Sequence, residues 1–399
     1  MKNKRFSKFQ IGVMAVSAGV CVANIYYNQP ILKEIALSLH ASEGDIGITS
    51  VLAQAGYGFG LFFLTPLGDK TNRKKLILVL HAALAAALLG IVLISDITGI
   101  YIISFLIGLL AVAAQVILPM AASLDQENRG KTVGIIFTGI LIGILAARVY
   151  SGYIAEYLGW RYVYGISAAM VAVMAFMIYF SLPDVPAQFR GNYPQLLKST
   201  FAQVRRFALL RRTALLGALI FGAFCSFWTN LTFHLSGEPF NYSADAIGFF
   251  GVLAVGGALL APYFGKMADK GNAARTQLIT VSMIVAGVVC IMLFPYDVWS
   301  FVVAVLLLDV GVQATQVTNI ALIYTLDEKA HSRINTIFMT TYFVGGALGT
   351  LAGVQCWRIG GWQAVAWQLL IWSILAFIVA AMGYKKQAFA KLEPAEERV

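Results

Sequence analysis

The sequence predicts an all-α integral membrane protein, with twelve transmembrane helices arranged as two pseudo-symmetric six-helix bundles. Three observations lead there. Of 399 residues, 59% are hydrophobic and 12% charged, with a mean hydropathy of +0.77, whereas charged residues make up about a quarter of a water-soluble domain. Apolar runs recur at roughly 20 residues, the length an α-helix rising 1.5 Å per residue needs to cross ~30 Å of hydrocarbon. Features of the first half also return in the second at an offset of about 200 residues, the mark of a tandem repeat.

The predicted spans fall at 9–30, 45–66, 75–95, 98–121, 132–156, 160–182, 213–235, 245–266, 275–294, 298–325, 334–357 and 362–384. Lys2, Lys4, Arg5 and Lys8 precede the first one. No small-x-small cleavage site follows, so the segment reads as an uncleaved first helix rather than a secretory signal. With both termini cytoplasmic, about 25 of the Lys and Arg fall in cytoplasmic loops and tails, as the positive-inside rule requires. Lys33, Arg161 and Arg358 sit near outer ends, and Arg148 lies inside a span. The net charge of +10 is therefore topological and calls for no nucleic-acid partner. Cys21, Cys225, Cys290 and Cys356 are scattered through the spans, a spacing that fits neither a metal site nor a disulfide framework.

Repeat mates run along the chain: Cys21 with Cys225, Ile46-Gly47 with Ile247-Gly248, Asp69 with Asp269, Arg129 with Arg333, and Gly159-Trp160 with Gly361-Trp362. They divide it into a first bundle (1–182), a cytoplasmic linker (183–212) and a second bundle with a cytoplasmic tail (213–399). Pro183 and Pro186 end the sixth helix. Within the linker, Tyr193–Phe207 sets Leu196, Leu197, Phe201 and Val204 against Lys198, Arg205 and Arg206, the spacing of an amphipathic helix on a membrane surface.

Between the second and third spans lies Thr65-Pro-Leu-Gly-Asp-Lys-Thr-Asn-Arg-Lys-Lys75, echoed by Phe264-Gly-Lys-Met-Ala-Asp-Lys-Gly-Asn272. This stretch resembles the Gly-x-x-x-Asp-Arg-x-Gly-Arg-Arg signature of the major facilitator superfamily. Thr65, Lys70 and Asn72 depart from that pattern, while Gly265 keeps the glycine in the second copy. Asn24-x-Tyr-Tyr-Asn-Gln-Pro30 and Arg333-x-Asn…Gly345-Gly-x-x-Gly349 look like one branch of its bacterial twelve-helix drug and metabolite exporters. The resemblance implies the major facilitator fold and alternating access by rocking bundles. It also implies a gate in which Asp69 pairs with Arg73 and Arg129, with Asp269, Arg333 and Arg275 as the second set. Glycines spaced by four lie on helices 2 (Gly56, Gly60), 5 (Gly139, Gly143) and 11 (Gly345, Gly349, Gly353), and helix 8 carries Gly248, Gly251, Gly256 and Gly257. In the family these four helices form the contact between the halves.

Ionisable groups inside spans are costly and so informative. Arg148 lies roughly 24 Å above the cytoplasmic entry of helix 5, and Asp309 roughly 15 Å below the outer end of helix 10. One reading makes Arg148 a cavity cation for an anionic substrate group and Asp309 the proton-titrating partner, since burial raises a carboxylate's pKa and a nearby Arg lowers it. The other is a fixed structural ion pair, or an Arg snorkelling to the interface. Asn24, Tyr27 and Asn28 are spaced to share one face of helix 1. Trp228, Asn230 and His234 stand at matching heights on helix 7. Together they suggest a hydrogen-bonding aromatic cleft, with His234 near proton access, although Tyr26, Tyr27 and Trp228 also suit an interfacial belt. Gln115 on helix 4 and Gln313, Gln316 and Asn319 on helix 10 suit the inner pathway. His81, alone in helix 3, reads as a packing residue.

Enzyme chemistry finds no support. Arg129-Gly-Lys-Thr132 has Asp125 where a phosphate loop needs its leading glycine, and no His-Glu-x-x-His or Gly-x-Ser-x-Gly occurs. Helix 4 lacks the buried arginine frequent in the family, and Ile144 stands where drug antiporters of the family carry a proline. The expected protein is a monomeric, cofactor-free, proton-coupled exporter of small amphipathic or anionic compounds in a bacterial cytoplasmic membrane. The alternatives are a proton-coupled importer of an organic acid or sugar, and a non-transporting receptor or lipid-handling protein. Its partners are then the small-molecule substrate, protons and the lipid bilayer.

Overall fold

A computed structural model of the protein describes residues 7–124, 129–186, 191–254, 260, 263–264, 267, 272–327 and 330–392. All regular structure among them is helical. Helix α1 (Lys8–Ala23) opens on a capping box, with Ser7 Oγ accepting from the Gln10 N–H and Gln10 Oε1 from the Ser7 N–H. It stops at Ala23, where Asn24 Nδ2 donates back to the Val20 carbonyl at 2.8 Å. The chain then passes through turns and a short 3-10 helix (Gln29–Ile31), in which Pro30 offers no N–H, into α2 (Leu32–Leu39).

The remaining helices are α3 (Glu43–Phe63), α4 (Leu67–Lys70), α5 (Arg73–Leu93), α6 (Ile97–Leu110), α7 (Ala113–Leu124), α8 (Arg129–Leu158), α9 (Trp160–Ser181), α10 (Tyr193–Arg206), α11 (Ala208–Ser236), α12 (Ala244–Leu253), α13 (Ala273–Leu293), α14 (Val298–Ile323) and α15 (His331–Leu392). Among the described residues, nine segments are long and apolar enough to cross a membrane, and Lys8–Ala23 and Ala244–Leu253 are shorter apolar helices. One of the nine, His331–Lys385, holds two predicted spans around non-helical Gly360 and Gly361. Here the repeat becomes visible in the backbone. Gly361 (φ 55°) and its repeat mate Gly159 (φ 100°) both take a left-handed φ just before a tryptophan, a conformation glycine adopts without a Cβ penalty.

Two compact units form: Met1–Ser199 with Trp228–Val252, and Thr200–Phe227 with Leu253–Val399. In the first, α3 packs on α6, α1 on α8 and α5 on α9. In the second, α13 packs on α14 and α15. The glycine stripes explain several of these pairings. A Cβ on Gly60 would lie 2.5 Å from the Leu109 carbonyl of α6, and one on Gly139 or Gly143 would strike the α1 backbone at Ala15 or Gly19. In the second unit, Gly345 and Gly349 of α15 meet the α11 backbone at Ala218 and Gly222. These stripes on helices 2, 5 and 11 were expected at the contact between halves. Each of these stripes brings helices together inside a unit, because a small-residue stripe permits close approach without naming the neighbour, whereas Gly248 and Gly251 of helix 8 meet helix 5 at Arg148. Gly256 and Gly257 lie outside the described residues. The amphipathic segment of the linker is helical as α10, and Tyr193 Oη donates to the Phe63 carbonyl at 2.5 Å.

Candidate functional site

Arg148 sits two-thirds of the way along α8 and is only 1% exposed. Three other segments of the first unit pack against it. The turn after α1 supplies Gln29, whose Oε1 accepts from Arg148 Nε at 2.9 Å, and Tyr26, whose ring centre is 5.4 Å from the guanidinium carbon. Helix α11 supplies Trp228, whose ring lies 4.0 Å away. Helix α12 packs against α8 at this point, since a Cβ on Gly251 would sit 2.9 Å from Arg148 Cβ and one on Gly248 2.5 Å from the Arg148 carbonyl. Thr232 Oγ1 ties α11 to the turn by donating to the Gln29 carbonyl at 2.6 Å.

A largely apolar groove of about 510 Å³ runs between α1 and α8, lined among others by exposed Val16 and Ile142 and by Tyr27, Ala147, Tyr150 and Met170. Its Tyr27 and Tyr150 rings are 5.2 Å apart.

Of the three polar residues expected on one face of helix 1, Asn24 and Tyr27 meet a common neighbour and Asn28 a different one. The α-helix ends at Ala23; beyond it Asn24 and Tyr27 both reach Ser167 of α9, while Asn28 turns to α3. Asn24 Oδ1 accepts from Ser167 Oγ of α9 at 2.8 Å, Tyr27 meets Tyr150 of α8, and Asn28 Nδ2 donates to Ser50 Oγ of α3 at 3.0 Å. All three are buried. Asn230 is fully buried on α11, and His234 is buried with its ring 5.5 Å from that of Phe240. Close by, Lys33 Nζ donates to the Ser236 carbonyl. Glu34, beyond the first predicted span, is pushed above the usual carboxylate range by its own burial, with Glu156 adding to this and a backbone hydrogen bond and Lys33 opposing it.

Asp309 is 1% exposed on α14 of the second unit, and Gln313, one turn on, is half-buried. Nearby, Gln277 Nε2 donates to Asn319 Oδ1 at 2.6 Å and Thr280 and Thr315 share a 2.7 Å bond, joining α13 to α14. In the first unit, His81 holds α5 against α1: its Nδ1 donates to the Ile77 carbonyl at 2.8 Å, leaving Nε2 to accept from Ser17 Oγ at 2.7 Å.

In the motif turn, Arg73 Nη2 meets Asp69 Oδ1 at 2.8 Å. Its other nitrogens donate to the Gly68 and Pro119 carbonyls at 3.1 and 3.2 Å, while Asn72 Nδ2 donates to Asp184 Oδ1 at 2.7 Å. One side chain thus staples α4 and α5 to α7. Arg333 is half-buried near the start of α15. Asp269 and the side chain of Arg129 lie outside the described residues. Since the Asp69 side chain is 31% exposed, solvent weakens the pair. Asp69→Asn is expected to cost ~1 kcal/mol and lower the thermal midpoint by about 2–4 °C. A tryptophan-fluorescence melt in detergent checks this, and an unchanged midpoint would reduce the motif to a topology signal.

A sequence model of the Major Facilitator Superfamily matches residues 14–350. The chain belongs to that superfamily. Among similar proteins, "Uncharacterized transporter YgaY" of Escherichia coli O157:H7 is 36% identical over 389 residues, covering 97% of this chain and 99% of that one. "Probable transporter SCO4007" of Streptomyces coelicolor is 31% identical over 352 residues, covering 88% and 82%. A crystal structure of a point mutant of the nucleoside transporter NupG superposes with a TM-score of 0.74 at 12% identity, covering 95% of this chain and all of that one. At that identity the likeness speaks for the fold alone. The protein is therefore a multi-pass membrane transporter with the twelve-helix fold of its superfamily, and not an enzyme.

Two residues of the cluster escaped sequence reasoning: Gln29, and Tyr26 as a partner of Arg148. The only local signal was their place in the polar Asn24–Pro30 stretch that interrupts the first apolar run.

Proposed function

We propose that the protein is a proton-coupled exporter of small amphipathic anions, working by alternating access. The observation that carries this is the buried Arg148 guanidinium, walled by the rings of Trp228 and Tyr26 and held by the neutral Gln29 amide. A cation placed in a membrane span at such cost marks a substrate or ion pathway by default. The apolar groove between α1 and α8, whose lining includes Ala147 and Tyr150, suits the hydrophobic part of an amphipathic substrate. Asp309 is the proton-coupling group on this reading, and the bundles 1–182 and 213–399 are the rocking bodies around linker 183–212. Asn230 and Gln313 contribute polar lining, His234 proton access, and Asp69, Arg73, Arg129, Asp269 and Arg333 the gate. The protein is placed as a monomer in a bacterial cytoplasmic membrane with both termini inside.

The test uses purified protein in liposomes with a trapped pH-sensitive dye and panels of anionic, neutral and cationic amphipathic compounds. Anion-dependent proton flux is expected. Asp309→Asn is expected to abolish accumulation driven by a pH difference while downhill exchange persists. Undiminished uphill accumulation in Asp309→Asn would remove that residue from coupling. Flux with cations alone would overturn the anion reading, and net flux only in the inward direction would make the protein an importer.

A further inference from the structure

Arg212 lies near the start of α11, beside the C-terminal part of α15 in the same unit. Its guanidinium fills the notch that Gly383 leaves on α15: a Cβ there would run into Nη1 and sit 2.5 Å from Cζ. The side chain is half-buried, and among the described residues no carboxylate and no hydrogen-bond acceptor meets it. The arginines near it in sequence are placed differently. Arg206 pairs with Asp327 at 2.7 Å, Arg211 Nη1 donates to the Val204 and Arg205 carbonyls at 2.9 and 3.0 Å, and Arg205 is exposed. The predicted spans 213–235 and 362–384 end beside Arg212 and Gly383, so this guanidinium stands at the edge of the hydrocarbon, the level of lipid phosphates. Leu215, three residues on and so on the same face of α11, is 50% exposed. An arginine that merely snorkels reaches away from the helices into water, whereas this one lies in against α15.

We infer that Arg212, seated in the Gly383 notch, binds the phosphate of an anionic phospholipid. A guanidinium carries donors and no acceptor and stays charged, so one drawn partly out of water is stabilised by an oxygen anion. Its planar fork matches two phosphate oxygens at once. The headgroup is anionic overall because its surroundings are cationic. Arg205, Arg206 and Arg211 stand within two helical turns of Arg212 in sequence, and the described carboxylate that meets them, Asp327, is already held by Arg206. The ammonium of a zwitterionic headgroup finds no partner there. The ligand is a lipid and not free phosphate, since acyl chains attached to the phosphate lie along exposed apolar surface such as Leu215, which a free anion cannot use. A lipid held in this way ties the start of α11 to the end of α15. The inference makes no use of Arg148 or of the transported substrate.

The experiment follows the thermal midpoint of the purified protein in detergent at neutral pH, by tryptophan fluorescence. Dioleoylphosphatidylglycerol, dioleoylphosphatidylcholine or inorganic phosphate is added in a concentration series. A ligand of the folded state raises the midpoint by mass action, and phosphatidylglycerol is expected to do so saturably by about 3–5 °C. Phosphatidylcholine and inorganic phosphate at equal concentration are expected to give less than about half that shift. Arg212→Gln, which removes the charge and keeps a polar side chain, is expected to lose at least about two-thirds of the phosphatidylglycerol shift. Gly383→Ala retains the arginine but puts a methyl group where its guanidinium rests, and should reduce the shift in the same direction. Arg205→Gln removes an exposed arginine and should keep the shift. In the wild-type protein, no shift with phosphatidylglycerol, equal shifts from the two lipids, or an equal shift from inorganic phosphate each overturns the proposal without any variant. An equal loss in Arg205→Gln overturns it too, by reducing the effect to general surface charge. If Arg212→Gln gives no cooperative melt, Gly383→Ala decides, and an undiminished shift there excludes the notch.

Discussion

Arg148→Ala is expected to abolish transport of anionic compounds, with a loss of affinity of roughly thirtyfold or more. Truncating one partner of a desolvated, hydrogen-bonded charge pair costs about 2–5 kcal/mol, and each ~1.4 kcal/mol is tenfold in affinity. Arg148→Lys separates charge from geometry. It keeps the cation but loses the planar fork and the stacking on Trp228, so it should fall between the wild-type protein and the alanine variant. Because the side chain is buried among Tyr26, Gln29 and Trp228, alanine also leaves a void. Thermal midpoints of both variants, measured beside substrate-dependent proton flux in liposomes, separate lost recognition from lost fold. Full anion flux in Arg148→Ala would end the anion-site reading.

Gly108→Ala is expected to destabilise the protein by about 3 kcal/mol, at the upper end of what overpacking costs. In an open helix position the same change is favourable by roughly 0.5–1 kcal/mol, since alanine is the better helix former. At Gly108, however, a Cβ would run into the carbonyl of Ala53 on α3, and backbone cannot rotate away as a side chain can. The helices α3 and α6 would have to separate and give up packing along their length. Gly134→Ala on α8 is the matched control, because nothing lies within 4 Å of its Cβ position, and it should leave the midpoint unchanged or raise it. Detergent melts of the two variants decide the matter. If Gly108→Ala behaves like Gly134→Ala, the α3–α6 contact is looser than described.

Much of the architecture was legible because it depends on composition and on short-range pattern. A chain with 59% hydrophobic residues in runs of roughly 20 has one solvent open to it. The Asp69–Arg73 pair joins residues four apart across the extended turn between α4 and α5, so nearness along the chain, together with the motif, suggested it. The repeat pairing of Gly159 with Gly361 likewise reappeared as two left-handed turns before tryptophan, since both positions solve the same local problem.

The candidate site was legible only in part, and the reason is distance along the chain. Arg148 announced itself as a charge inside an apolar run, but its partner Gln29 is 119 residues away. The face shared by Asn24, Tyr27 and Asn28 was inferred by continuing a helix that in fact ends at Ala23. Past that end Asn24 and Tyr27 still meet at Ser167 of α9, while Asn28 turns away to Ser50 of α3.

By itself, then, the sequence determined that this is a polytopic helical membrane protein, where most of its spans lie, that its two halves repeat, and that one buried arginine needs an explanation. The tertiary structure decided which helices the glycines bring together, and which neighbours surround that arginine. Hydrophobic run length and short-range spacing are properties of a single segment, whereas the partner of a small-residue stripe or a buried guanidinium depends on how separate segments pack.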